Sequence, residues 1–458
     1  MDTRIVKLMF SALLPAAIFL TLGAVLPSTP ALGATHTPSP RTTSSAPPNW
    51  PWHGVVMSHK THADDQYTGT TPADLAAYYE AFGTNAGYYA AGLNSFHIYL
   101  GTQKYFNAKC PDSYNPYPGS CDADEAWTYT MNWLDDMLAE CKTLGVTAII
   151  GLNSVEKPDD GGYYPLNSES FWNSNVPQLY AQVTKLVAHL VSNDSSASYA
   201  YDILPEPTMV TAAGTRMQPT GWWQIQKNII DGIQANDPGR WIVVKPGPDG
   251  GRYTYSQVTF PCNPYTGAAQ FCPYSESGLV YSIHVYDPQN YTKQHVNGAY
   301  NEMGGPWPGI IKAPNGSTSY YDEDQVISDM HPVEGFIDHG DPPYYMYVGE
   351  FSAAIFACDS NVWLQNMVDI WENMMSPAWG WAYLSHGSYA GWSPHFTYTV
   401  DPPPPETAWP SITFSAPIPA TETNTARWQD LQGMFRPSLY GYAPAEGACD
   451  PTINGGGQ

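Results

Sequence analysis

The 458-residue chain carries 18 basic residues against 42 acidic ones, a formal charge of −24. That balance argues against nucleic acid and anionic membrane as partners and disfavours a polyanionic substrate, whereas a neutral polymer is compatible. Aromatic residues make up 14% of the chain, enough to fill a large core and still leave rings to meet a ligand.

From the N-terminus, Arg4 and Lys7 precede an apolar stretch, Leu8 to Leu26, broken by Pro15. Ala31-Leu32-Gly33 then offers small residues for cleavage before Ala34. Residues 1–33 are therefore expected to be a signal peptide, and the mature protein is expected to be secreted with no membrane attachment. No later segment is long and apolar enough to span a bilayer. Residues 34–48, rich in Ser, Thr and Pro, read as a linker. Residues 49–445 read as a single domain with long loops, Pro402 to Pro419 among them, and residues 446–458 as a C-terminal tail.

Strand and helix patterns then alternate. Gly54 to Ser58 reads as a strand, and Pro72 opens a helix through Leu75 to Ala81. Leu93 to Leu100 is the second strand, whose alternation puts Ser95, His97 and Tyr99 on one face. Asp124 to Leu144 is an amphipathic helix ended by Gly145, and Val146 to Leu152 the third strand. Val176 to Val191 (helix), Tyr199 to Leu204 (strand), Trp222 to Ala235 (helix) and Trp241 to Val244 (strand) follow. Leu279 to Tyr286 is the sixth strand, with Ser282, His284 and Tyr286 on one face. Asp322 to Ile337 is broadly helical but interrupted near Pro332. Tyr345 to Glu350 is a strand, Val362 to Met374 a helix, Trp379 to Leu384 the eighth strand, and Thr425 to Met434 a last helix. Repeated βα alternation predicts a parallel sheet, and eight strands favour a closed (β/α)8 TIM barrel.

Seven cysteines fit an oxidising compartment. Cys110 with Cys121 and Cys262 with Cys272 each bracket a loop and are expected to form disulfides. Cys358 is expected to pair with Cys449, closing the tail onto the barrel, and Cys141, within a helical pattern, to stay a buried free thiol. No Cys/His spacing reads as a metal site, and neither a metal nor a cofactor is implied.

Glu206, in Ile203-Leu204-Pro205-Glu206-Pro207, and Glu350, in Tyr347-Val348-Gly349-Glu350-Phe351, each end a short apolar run. Their spacing suits carboxylates after strands 4 and 7 of a parallel barrel. Two carboxylates facing one cleft are the working parts of a glycosidase, one as acid/base and one as nucleophile.

With Tyr281-Ser282-Ile283-His284-Val285-Tyr286-Asp287-Pro288, Trp381-Ala382-Tyr383 and Gly391-Trp392-Ser393-Pro394, these strand ends resemble the cellulase-like glycoside hydrolase family 5. That family lies in the (β/α)8 clan of retaining enzymes, and the resemblance runs from Trp52 to Phe435. It implies Glu206 as acid/base, Glu350 as nucleophile, Tyr286 as a hydrogen-bond donor to Glu350, His284 as a sugar contact and Trp381 as the floor of the cleavage subsite.

Three positions depart from the family pattern. Pro205 stands where the family has an Asn that binds the sugar 2-hydroxyl. His97 stands where it has an Arg near the nucleophile, and Asn153 where it often has His. A protonated His97 is expected to replace that arginine charge, so that activity falls as it deprotonates and His97→Arg extends it to higher pH.

Tyr163, Tyr164, Trp172, Trp222, Trp223, Trp307 and Trp392 lie where loops should meet the cleft. Trp172 and Trp307 are expected to be extended subsites.

The expected protein is a secreted, monomeric, retaining β-glycosidase. Its expected partner is a β-glucan or related neutral polysaccharide, cleaved internally as by an endo-β-1,4-glucanase. A β-mannanase, an exo-acting β-glucosidase and a non-catalytic carbohydrate-binding barrel are the alternatives.

Overall fold

In the computed structural model, eight strands pair in parallel and close on themselves. The structure describes residues 46–58, 71–83, 92–100, 123–152, 169–193, 196–211, 215–260, 262, 271–293, 307–312, 317–355, 357–384, 392, 398–401, 411–414, 431 and 435. Asn153, Tyr163, Tyr164, the expected Cys110–Cys121 and Cys358–Cys449 pairings and the expected helix Thr425 to Met434 lie outside the described residues, apart from Cys358 and Leu431.

The barrel strands are β1 (His53–Ser58), β2 (Ser95–Leu100), β3 (Thr147–Leu152), β4 (Ser198–Asp202), β7 (Trp241–Val244), β8 (Leu279–Val285), β11 (Tyr345–Phe351) and β12 (Gly380–Leu384). β1 pairs with both β2 and β12, which closes the ring. Burial on both faces explains why these strands read as nearly continuous apolar runs. One face of each strand meets the helices: Phe96, Ile98, Ile150, Tyr201, Ile242, Ile283 and Val348 belong to that outer core. The alternate positions Val56, Tyr99, Ile149, Ala200, Val243, Val280, Tyr347 and Ala382 fill the barrel. Trp50, Trp52, Trp241, Tyr345 and Tyr347 pack edge to face near the starts of their strands. They plug that end, so access comes from the C-terminal ends of the strands.

The helices are α1 (Pro72–Phe82), α2 (Ala123–Leu144), α3 (Glu169–Ser192), α4 (Trp222–Asn236), the short α5 (Gln289–Thr292), α6 (Glu323–Ile337) and α7 (Ser360–Asp369), which runs on into a π-helical turn, Ile370–Met374. A capping box between Thr71 and Asp74 fixes the start of α1. Contrary to expectation, α6 continues through Pro332; buried Val333, Phe336 and Ile337 anchor the turn that follows it. Among the described residues no α-helix joins β7 to β8. A 3₁₀ helix, Arg252–Gln257, and the disulfide Cys262–Cys272 stand there instead, with Tyr255 and Phe271 packed on Phe336. Among the described residues Cys141 is the free cysteine, and it is buried. Two-stranded hairpins β5 (Met209–Val210) with β6 (Arg216–Met217), β9 (Gly309–Lys312) with β10 (Thr318–Tyr321) and β13 (Tyr398–Asp401) with β14 (Ser411–Phe414) were not legible in the alternation.

Candidate active site

On β11, alternation alone points Glu350 the wrong way. Tyr345 and Tyr347 face into the barrel and Met346 and Val348 face the helices, so the next inward position would be Gly349. The ladder corrects this with one extra residue. Val348 pairs with Ile283, but Glu350 pairs with the very next residue of β8, His284. Gly349 is thus a β-bulge, and the phase change turns Glu350 inward. A side chain at Gly349 would meet Ser282 Oγ at 2.9 Å.

Glu350 is 8% exposed and held at both oxygens. Tyr99 donates to Oε1 at 2.6 Å and Tyr286 to Oε2 at 2.8 Å. Tyr286 is itself fixed by stacking on Trp392, with centroids 5.3 Å apart and planes at 25°. The Lys293 ammonium lies 4.5 Å from its ring centre.

Glu206 follows β4 on irregular backbone, with a third of its side chain exposed. His284 Nδ1 lies 3.1 Å from Glu206 Oε1 and 3.4 Å from Glu350 Oε2. One ring nitrogen therefore stands between the two carboxylates. Burial pushes the Glu206 carboxyl up. His284's hydrogen bond and charge, then the charges of Lys293 and Arg216, outweigh this and hold it below the ordinary carboxylate value. A carboxylate oxygen from each glutamate and a ring nitrogen of His284 all lie within 4.8 Å of one another. These three side chains could share a cation, although donors within the site already meet both carboxylates.

Beneath them lies a charged floor that sequence reasoning missed. Asp202, on the inward face of β4, accepts from Lys245 Nζ at 2.6 Å, and neither side chain is exposed. Lys245 directly follows β7 and continues the inward series of Trp241 and Val243. His97 Nε2 is 3.0 Å from the same Asp202 oxygen. Its Nδ1 lies 3.2 Å from the carbonyl oxygen of Gly349, to which it donates. Burial raises the Asp202 carboxyl, but the charge of Lys245 and the hydrogen bond and charge of His97 outweigh it and hold it at about 2.

Several expected roles are corrected. His97 is fully buried and cannot touch a sugar. Burial pushes its pKa down while the hydrogen bond and charge of Asp202 pull it up, and Lys245 brings a second basic group to the same carboxylate. Trp381 is fully buried on the outward face of β12, against Phe351 and Phe435, with its indole N–H on Glu372 Oε1 at 2.8 Å. It is not a sugar floor; Trp392 stands on the inner side. Trp172 and Trp307, each 2% exposed, belong to the outer core and offer no stacking face. Trp172 donates to the Thr208 carbonyl and packs edge to face on the equally buried Trp222, while Trp223 stacks on Tyr274. His284 shows only 2% of its side chain and is turned to the carboxylates.

A family model described as Cellulase (glycosyl hydrolase family 5) matches residues 75–382. The fold resembles endoglucanase Cel5A of Thermotoga maritima at 16% identity, covering 75% of this chain and 92% of that one with a TM-score of 0.52. Cel5A in complex with mannotriose gives 16%, 76%, 93% and 0.51. The cellulose synthase subunit Z (CcsZ) of Clostridioides difficile gives 13%, 75%, 94% and 0.51. At such identities these structures speak to the fold alone. Among curated proteins none matches the chain.

Proposed function

The chain belongs to the cellulase family, glycosyl hydrolase family 5, and is a glycoside hydrolase; we propose that it cleaves a neutral β-linked polysaccharide internally, with retention, as an endo-β-1,4-glucanase. One observation carries this reading: a carboxylate oxygen of Glu206 and one of Glu350 lie within 4.8 Å in one site. Retaining enzymes hold their carboxyl groups about 5–5.5 Å apart, whereas inverting ones leave roughly 6.5–9.5 Å for a water. The cellobiose and mannotriose complexes of Cel5A concern that enzyme, and they support a polysaccharide substrate here by family likeness.

In this mechanism Glu350 attacks the anomeric carbon while Glu206 gives its proton to the glycosidic oxygen, and the leaving chain departs. Glu206, now ionised, takes a proton from a water that attacks the same carbon and frees Glu350. Tyr99 and Tyr286 hold the attacking carboxylate by its two oxygens. Trp392 lies under the sugar at the cleavage subsite, and Asn153 is a further sugar contact.

Pro205 favours a second reading. It offers no side-chain donor where the family binds the sugar 2-hydroxyl. Glucose and mannose differ at that hydroxyl, so selection between them is weakened and a β-mannan becomes an accepted substrate. Residues 1–33 act as a signal peptide for secretion, 34–48 as a linker, 49–445 as the catalytic domain and 446–458 as a tail. The enzyme works as a monomer.

The test is reducing-end release from cellulose, mixed-linkage glucan, glucomannan and mannan by wild type, Glu206→Gln and Glu350→Gln. Release by wild type alone is expected. No release from any polymer, with binding retained, would overturn the reading in favour of a non-catalytic barrel.

A further inference from the structure

The hydrogen bond from His97 to Gly349 joins strands that are not neighbours. In the barrel order, β12 and β1 separate β11 from β2. The bond therefore crosses the interior and ends on the carbonyl of the bulge residue itself. That bulge is what turns Glu350 inward, so whatever fixes the Gly349 peptide also fixes the direction of the carboxylate. Two residues along β2, Tyr99 holds Glu350 Oε1. One strand thus grips both the backbone and the carboxylate of the nucleophile.

His97 is in turn anchored from beneath. Its Nε2 lies 3.0 Å from an Asp202 oxygen, a contact that holds the ring while Nδ1 donates to Gly349 when both nitrogens carry a proton, and Asp202 is locked by Lys245. The contact reaches from β2 to β4 past β3, where Gly151 stands opposite Tyr99 and Asp202 in register. A Cβ at Gly151 would come within 2.8 Å of the Tyr99 ring and 3.4 Å of His97 Nε2, so the absence of a side chain there leaves the path open. A fully buried ion pair is a poor source of stability, because desolvating both charges costs about what their attraction returns. Its location under the bulge gives it another use.

Resting on the hydrolase reading above, we propose that Lys245, Asp202 and His97 form a buried chain of positioning residues that holds the Gly349 bulge and thereby sets the direction from which Glu350 attacks. None of the three touches the substrate. Their loss therefore slows the chemical step and leaves polymer binding in place.

The test compares kcat and KM of wild type, His97→Leu and His97→Gln on a soluble polymer that the wild type cleaves. His97→Leu keeps the volume but loses the donor, whereas the amide of His97→Gln can still donate to Gly349. The expected result is a fall in kcat of at least tenfold for His97→Leu with KM within threefold, and at least threefold of kcat regained in His97→Gln. A smaller fall, a loss carried by KM, or a glutamine variant no better than leucine would overturn the inference. If His97→Leu does not fold, the charge-neutral pair Asp202→Asn/Lys245→Met removes the anchor with His97 in place and is held to the same kcat and KM limits. A silent wild type would instead overturn the hydrolase reading, and the inference with it.

Discussion

The phenolic oxygen of Tyr99 lies 2.6 Å from Glu350 Oε1, so a residue of β2 grips a carboxylate carried by a strand across the barrel. Burial, then the charges of Glu350 and Asp202, push the Tyr99 phenol well above its ordinary value, and it remains a neutral donor at every working pH. A hydrogen bond to a charged group contributes about 1.5–3 kcal/mol. Tyr99→Phe is therefore expected to lower kcat roughly 10- to 100-fold, with Tyr286 still holding Oε2. A kcat within threefold of wild type would show that the bond is idle.

The barrel was legible because strands buried on both faces leave uninterrupted apolar runs, and Glu206 and Glu350 because each ends such a run. Phase decided the rest. Gly380, Ala382 and Leu384 share the inward face of β12, which sends Trp381 outward; the aromatic motif was readable but its direction was overlooked. Glu350 is the opposite case: alternation turns it away, and only the bulge, whose one trace in the sequence is Gly349, brings it back. Asp202 and Lys245 could have been found. Each falls in phase with inward neighbours, Ala200 for one and Trp241 and Val243 for the other, and two opposite charges at such positions on adjacent strands signal a buried pair. Trp172 and Trp307 misled because a Pro/Gly/Asn-rich neighbourhood reads as loop, whereas both rings turn into the outer core.

Exchanging the two tryptophans' roles has a direct consequence. Trp392 stacks on Tyr286 and donates its indole N–H to the Thr292 carbonyl at 3.2 Å. Trp392→Ala is expected to raise KM about tenfold through lost ring stacking and to lower kcat by loosening Tyr286. Trp381→Phe removes the bond to Glu372 and part of the packing against His53, Phe351 and Phe435, all on the far side of the sheet. It is expected to lower the melting temperature and leave KM within twofold. Steady-state kinetics of both variants decides between them, and a KM rise confined to Trp381→Phe would restore the original assignment.

In the proposed mechanism the pH dependence follows from Glu206, which must be protonated to act as the acid. A carboxyl held below its ordinary value loses that proton at lower pH, so the alkaline limb of kcat/KM lies in the acid range. Lys293 is one of the cations that lower it. Lys293→Met removes that charge, raises the Glu206 pKa and moves the limb to higher pH. A kcat/KM profile that stays in place, or moves to lower pH, would refute the assignment of Glu206 as the acid governed by this charge.

On the outer side of β1 and β12, His53 Nε2 lies 3.4 Å from Glu372 Oε1, and His53 stacks on Trp381. Burial lowers His53 from 6.5 to about 4 and raises Glu372 from 4.5 to about 7. The two groups tilt stability in opposite directions. For His53 the fold favours the neutral ring, so stability is lost as pH falls from 6.5 towards 4. For Glu372 it favours the neutral acid, so stability is lost as pH rises from 4.5 towards 7. Between 4.5 and 6.5 the folded and unfolded chains bind the same number of protons at this pair, and its net contribution is flat. Removing either group exposes the slope of the other, on the order of 3 kcal/mol across its window. Melting temperature measured from pH 4 to 7 should therefore rise with pH, relative to wild type, in Glu372→Gln and fall with pH in His53→Gln. The two slopes must have opposite signs. Parallel profiles in both variants would mean that the proton sits on His53 rather than on Glu372, and that the pair is an ordinary ionised bridge.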